Sequence, residues 1–182
     1  MTLLVAGCSS SKPGVFTHPK HGYSFLVGND WLVRAESGPP EQADEVAFMR
    51  AIDAPGKVAA YNPDEILAGA EGVIDGNLLL VTVKAEPNPK KLEPMEFLAQ
   101  DKSSEKARLE KTDFNGLSAV RRTDVEGMFI IFVTVGETFY AVRAIELPGK
   151  STVTGNYLKS DPEAVKLLEE GLKGLKFPTS GS

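Results

Sequence analysis

The chain has a single cysteine, Cys8, in 182 residues. That excludes an internal disulfide, so the fold must be held by its core even in an oxidising compartment. Histidine is nearly as scarce. His18 and His21 are the only two, and any Ser-His-Asp triad or zinc site would have to pass through that one turn. No apolar run approaches the ~18–20 residues that a membrane-crossing helix needs. An excess of positive charge is also missing: the formal net charge is −5, which argues against a nucleic-acid partner. Lys90-Lys91 and Arg121-Arg122 are isolated pairs and read as solvated surface. What is present is an average globular mix, 42% hydrophobic and 25% charged, enough for one core and short for two domains.

The one cysteine stands in an informative place. Leu4-Val5-Ala6-Gly7-Cys8 is followed at once by Ser9-Ser10-Ser11-Lys12-Pro13-Gly14. A buried cysteine belongs inside a strand or helix pattern, whereas serines and a Pro-Gly pair mark a loop or tether. The stretch resembles a bacterial lipobox. The resemblance implies that the Cys8 thiol takes a diacylglycerol and that cleavage leaves Cys8 as the new N-terminus. Residues 1–7 then read as the remnant of a signal that lacks its basic n-region and most of its apolar h-region. Residues 8–14 become anchor and tether, of which Ser9 to Gly14 reach at most about 20 Å if extended. The expected location is the bacterial cell envelope, facing the periplasm or the exterior, with the membrane as one partner through the lipid on Cys8.

Beyond the tether, turn signals cut the chain into short apolar runs. Residues 15–17 and 23–27 flank His18-Pro19-Lys20-His21-Gly22 and predict a hairpin. Residues 31–33 and 45–52 predict two strands around the Gly38-Pro39-Pro40 break, with Trp31 as a core anchor. Residues 77–85 predict a strand whose Leu78-Leu79-Leu80-Val81 run implies burial on both faces. Pro94 opens a short helix expected to reach about residue 106. Asn115-Gly116 predicts a two-residue hairpin turn between 108–114 and 117–124. Residues 128–135 and 139–147 are the most apolar runs and the expected central strands, with Ile130, Phe132 and Val142 in the core. A terminal helix is expected from Asp161-Pro162, packing a stripe of Val165, Leu168, Leu172 and Leu175 on the sheet. Gly171 and Gly174 interrupt it, allowing either close approach to the sheet or fraying.

These elements make an α+β chain, a largely antiparallel β-sheet flanked by helices. Gly22-Tyr23-Ser24-Phe25 leading to Trp31, the late Asn-Gly hairpin, the paired apolar strands and a closing Leu175-Lys176-Phe177 resemble the PsbP-like proteins, the group of PsbP, Mog and DcrB-type lipoproteins. The resemblance covers residues 15–177, leaving 178–182 as a tail, and implies a single PsbP-like domain with an α/β/α sandwich. It departs at Gly28-Asn29-Asp30, where a proline is usual before the glycine-tryptophan step. It implies a binding or assembly role and transfers no catalytic residue.

Stretches that imitate catalytic motifs carry little physics. Residues 144–151 satisfy a loose phosphate-loop pattern, but 144–147 continue a strand and Thr152-Val153-Thr154-Gly155 are poor helix formers. His18 and His21 read as exposed turn histidines, because Pro19 and Gly22 oppose a helix that would bring them together. Asp64-Glu65 and Glu169-Glu170 are adjacent carboxylates that point apart on a helix. The expectation is therefore a non-enzyme without cofactor or metal that binds an envelope protein partner. Its candidate surface lies in the least regular segments, 53–77 and 148–160, at Tyr61, Ile66, Leu67 and Tyr157. The alternative is a small-molecule binder or unrecognised hydrolase with a pocket under residues 53–77.

Overall fold

Short β-branched and aromatic runs bounded by turn residues form most of the regular structure in the computed structural model, which describes residues 14–27, 31–35, 38–52, 77–100, 108–125, 128–147 and 163–178. Strands β1 (Gly14–Thr17) and β2 (Ser24–Val27) make a two-stranded antiparallel hairpin. Strands β3 (Leu32–Ala35), β4 (Glu45–Ala51), β5 (Leu78–Pro87), β6 (Leu109–Phe114), β7 (Leu117–Val125), β8 (Met128–Val135) and β9 (Thr138–Leu147) follow. Among the described residues these seven form one sheet in the order β3-β4-β5-β9-β8-β7-β6, with every pairing antiparallel. Helix α1 (Pro94–Leu98) and helix α2 (Ala164–Leu172) complete the regular elements.

The sheet closes at β6-β7 through Asn115-Gly116, with φ of 53° and 83°. Both central residues are left-handed, as a two-residue hairpin with the strand twist requires. The edge strands are protected differently. β3 is only four residues long, whereas β6 exposes Glu110, Lys111 and Asp113, charges that discourage edge-to-edge pairing.

Strand alternation divides the sheet into two faces. On the first, Val46, Phe48, Leu79, Val81, Val83, Ile131, Val133, Val142 and Ala144 form a core with Tyr23 and Phe25 of the hairpin, Trp31, and Ala164, Leu168, Leu172 and Leu175. On the second, Val120, Phe132 and Phe139 pack under Leu98 of α1. A separate group there holds Ala47, Met49, Ala51, Leu78 and Leu80. Every residue from Leu78 to Val83 is buried, so β5 is covered on both sides as its sequence predicts. β9 is the middle strand of seven, with Val142 fully buried; Phe132 is also in the core, while Ile130 is only half-buried.

Two expectations need correction here. Val165 is 38% exposed, and Ala164 takes its place in the core. The buried stripe of α2 is Ala164, Leu168 and Leu172, so the helix is rotated relative to the expected set. Glu163 stands at the N-cap position; Asp161 and Pro162, like residues 101–107 after α1, lie outside the described residues. The glycines serve close approach. A Cβ at Gly171 would lie 3.1 Å from Trp31 Cζ2, and one at Gly174 would lie 2.8 Å from Leu26 Cβ.

Candidate functional site

None of the residues singled out for function from sequence, Cys8, Tyr61, Ile66, Leu67 and Tyr157, falls within the described residues. Their attachment points do. Ala51 pairs with Leu78, and Leu78 pairs with Leu147. The chain therefore leaves for residues 53–76 at the end of β4, returns at the start of β5, and leaves again for residues 148–162 at the end of β9, all in one cross-strand row. A polar clamp marks this row. Buried Asn77 donates from Nδ2 to Oε1 of buried Glu146 at 2.8 Å, and the Ile52 amide donates to Asn77 O at 3.0 Å. Burying a carboxylate is costly unless it is hydrogen-bonded, and this pair holds the return of the first segment beside the start of the second.

The histidine turn lies towards the opposite end of the sheet, next to the start of β4. His18 is fully buried, which overturns the expectation of an exposed turn histidine. The reason is local: Pro19 and Gly22 turn the chain back so that the imidazole lies under the hairpin, edge-on to Phe16 and tilted against Tyr23. Its Nε2 is 2.8 Å from the Ala43 carbonyl, and its Nδ1 accepts from the His21 amide at 3.2 Å. One nitrogen must donate and the other accept, which is the neutral tautomer with the proton on Nε2. Burial, the largest influence, holds the His18 pKa below its ordinary 6.5. His21 Nε2 is 2.9 Å from Asp44 Oδ1, which also takes a hydrogen bond from Lys20. Those two hydrogen bonds, Lys20 first, lower the Asp44 pKa.

The two imidazoles are 4.7 Å apart, centroid to centroid, without a helix to join them. Both nitrogens of His18 are already engaged, and among the described residues there is no group of three or more side chains suited to hold a metal. Nearby, the Tyr140 hydroxyl donates to the His21 carbonyl at 2.6 Å. The Tyr23 hydroxyl is buried with no hydrogen-bond partner among the described residues, and burial pushes its pKa upward. Together these contacts lock the turn onto the sheet.

The second sheet face carries a cleft of about 290 Å³ lined by Glu45, Thr82, Lys84, Glu86, Phe97, Leu98, Arg122, Ile130, Phe132, Phe139, Ala141 and Arg143. Sequence reasoning missed it. The signal was present in β9, where Ala141, Arg143 and Ile145 alternate with the buried Val142 and Ala144, so that an arginine occupies a mid-strand outer position. Arg121 and Arg122, expected as plain solvated surface, go to different places. Arg121 lies over the Phe129 ring at 4.3 Å and pairs with Glu169 at 2.9 Å, while Arg122 lines the cleft on the other face.

No family model matches the chain, and no curated protein matches it in sequence. A crystal structure at 1.50 Å resolution of a protein from Bacteroides thetaiotaomicron VPI-5482 aligns with 88% of this chain at 10% identity and a TM-score of 0.43. The chain spans 46% of the length of that protein. Among the described residues no helix is long and apolar enough to cross a membrane.

Proposed function

We propose that the chain is a lipid-anchored domain of the bacterial envelope, held through Cys8, that binds a protein partner without catalysing a reaction on it. The partner surface is built from residues 53–77 and 148–160, with Tyr61, Ile66, Leu67 and Tyr157 as its apolar and aromatic contacts. The observation that carries this reading is the row Ala51, Leu78 and Leu147. It roots two long, turn-rich segments side by side although about 70 residues of sequence separate the end of the first from the start of the second. Connections rather than scaffold strands are where binding residues concentrate. A PsbP-like α/β/α sandwich is the architecture proposed for the domain. Its support is that α2 packs on one sheet face and α1 on the other.

The test has two arms, both on the chain expressed behind a complete lipoprotein signal. Cys8→Ala removes incorporation of labelled fatty acid; equal labelling of both forms rules out the anchor. Tyr61→Ala and Tyr157→Ala each reduce recovery of the partner cross-linked in the native membrane by at least about tenfold, since aromatic anchors contribute on the order of 2 kcal/mol or more. Melting temperature stays within error of the parent. Recovery unaffected by both changes removes this surface, and turnover of an envelope substrate by the purified domain overturns the non-catalytic reading.

A further inference from the structure

The cleft on the second sheet face has a charge pattern that the rest of the chain does not predict. In a molecule of net charge −5, the described residues lining the cleft include three cations, Lys84, Arg122 and Arg143, and two carboxylates, Glu45 and Glu86. Register explains their positions. Arg122 pairs with Ile130, Ile130 with Arg143, and Arg143 with Thr82. Two arginines thus flank Ile130 across three neighbouring strands, their Cα atoms about 10 Å apart at two inter-strand spacings.

The carboxylates lie towards the other side. Glu86 Oε1 is 2.6 Å from Lys84 Nζ, and Glu45 sits directly across the strand pair from Lys84. Arg143 is exposed and makes no ion pair or hydrogen bond among the described residues. A planar guanidinium with its fork unused is suited to a carboxylate, which it can hold by two parallel hydrogen bonds. Beside it the cleft is apolar. Phe97 stacks on Phe139 at 4.0 Å, and Phe139 stacks on Phe132 at 5.7 Å. Phe97 and Ile130 are only half-buried, so ring and alkyl surface remains open next to the charge. The volume of about 290 Å³ lies at the lower end of the ~300–1,000 Å³ of small-molecule sites.

We propose that this cleft is a binding site for a small amphipathic carboxylate, an aromatic ring or short acyl chain with one anionic group. The anion lies on Arg143 and the apolar part lies over Ile130 against Phe97. The apolar part covers ring and alkyl surface that is open in the free chain. The proposal rests on none of Cys8, residues 53–77 or residues 148–160, so its failure would leave the partner-binding proposal untouched.

The probe is 2-naphthoate, titrated into the full chain and followed by backbone amide shifts. Acetate and 2-naphthylmethylammonium serve as comparisons, one lacking the ring and the other reversing the charge. Naphthoate saturates with a Kd on the order of 0.1–1 mM and shifts the amides of Thr82, Ile130, Phe132, Ala141 and Arg143. Neither comparison compound saturates in that range. Arg143→Gln weakens naphthoate about tenfold without changing the melting temperature, and Phe97→Ala weakens it several-fold. Raising the salt concentration weakens binding to the parent chain, a measurement that needs no variant. No saturation by about 10 mM naphthoate, equally tight binding of the amine or of acetate, shifts confined to other residues, or salt-independent binding would each overturn the site. Unchanged affinity in folded Arg143→Gln would do the same.

Discussion

Replacing Gly174 by alanine should destabilise the chain, although alanine is the better residue on local grounds. A Cβ at this position would lie 2.8 Å from Leu26 Cβ, 3.3 Å from Gly171 O and 3.5 Å from Leu26 N, where carbon pairs prefer about 3.5–4.0 Å. Leu26 Cβ is fixed to the backbone, so no rotamer change relieves the clash. The backbone cannot easily withdraw either. The Leu26 amide donates to Gly174 O at 3.2 Å, and Ser24 and Lys176 exchange two hydrogen bonds of 2.8 Å. The C-terminal segment must therefore shift against β2, at about 1–3 kcal/mol for overpacking, offset by about 0.4–1 kcal/mol from a less flexible unfolded chain. The net loss of about 1–2 kcal/mol corresponds to a fall in Tm of roughly 2–8 °C for a chain of this size. Gly171→Ala is the internal comparison. It lies inside α2, where alanine gains about 1 kcal/mol of helix propensity, and its new Cβ meets the edge of the Trp31 ring at 3.1 Å, a contact that a tilt of a few tenths of an ångström can relieve. The two effects nearly cancel. Urea and thermal unfolding followed by circular dichroism decide the matter: Gly174→Ala as stable as the parent, or more stable than Gly171→Ala, would refute the close-approach argument.

Two further predictions concern the turns. Asn115 combines a φ of 53° with hydrogen bonds from Nδ2 to Leu175 O at 2.7 Å and Leu172 O at 3.1 Å, so Asn115→Gly keeps the turn but removes both bonds to the chain leaving α2, costing about 1–2 kcal/mol. Asn115→Ala should cost about 1 kcal/mol more because the left-handed backbone then carries a Cβ; a urea midpoint for Asn115→Gly equal to the parent's would show that these two bonds contribute nothing. For His18, burial lowers the native pKa, so the unfolded chain binds the proton first and stability falls as pH drops below the ordinary value of about 6.5 towards the lower native value. His18→Gln should flatten that slope between about pH 7 and 5.5, a window separate from the acid range below about 3.8 in which Asp44 loses its own contribution; a parent midpoint that does not move between those pH values would refute the assignment.

How much of this was legible follows from what each signal depends on. The Asn115-Gly116 turn, the doubly buried Leu78-Leu79-Leu80-Val81 run and the opening of α1 at Pro94 depend on residues next to one another, and all are found where the sequence places them. His18 was misread because its burial depends on Ala43, 25 residues away. A turn sequence with Pro19 and Gly22 looks the same whether its side chains face water or a sheet. Val165 failed for a related reason. A three-four-three spacing fits more than one helix rotation, and the approach of Gly171 and Gly174 to Trp31 and Leu26 selects the one that buries Ala164 instead. The cleft needed register across several strands: Arg143 opposite Thr82 and Ile130 is a fact about pairing, and no local pattern states it.

Pairing also gives the sheet a polarity that bears on function. At one end, β6-β7 and β8-β9 are joined by two-residue turns, Asn115-Gly116 and Gly136-Glu137, and the histidine turn is bound down by the Ala43 carbonyl and Asp44. At the other end, the row of Ala51, Leu78 and Leu147 carries the connections through residues 53–76 and 148–162. Connections in compact folds are usually about 4–6 residues, and much longer ones need a reason to persist. Two of them rooted side by side can build one continuous surface. Two at opposite ends could not. The Asn77–Glu146 bond matters for the same reason, because it ties the return of the first segment to the strand that launches the second. A partner pressing on one segment would thus meet a base held by the middle of the sheet, where β5 and β9 are paired from Leu78–Leu147 to Pro87–Thr138.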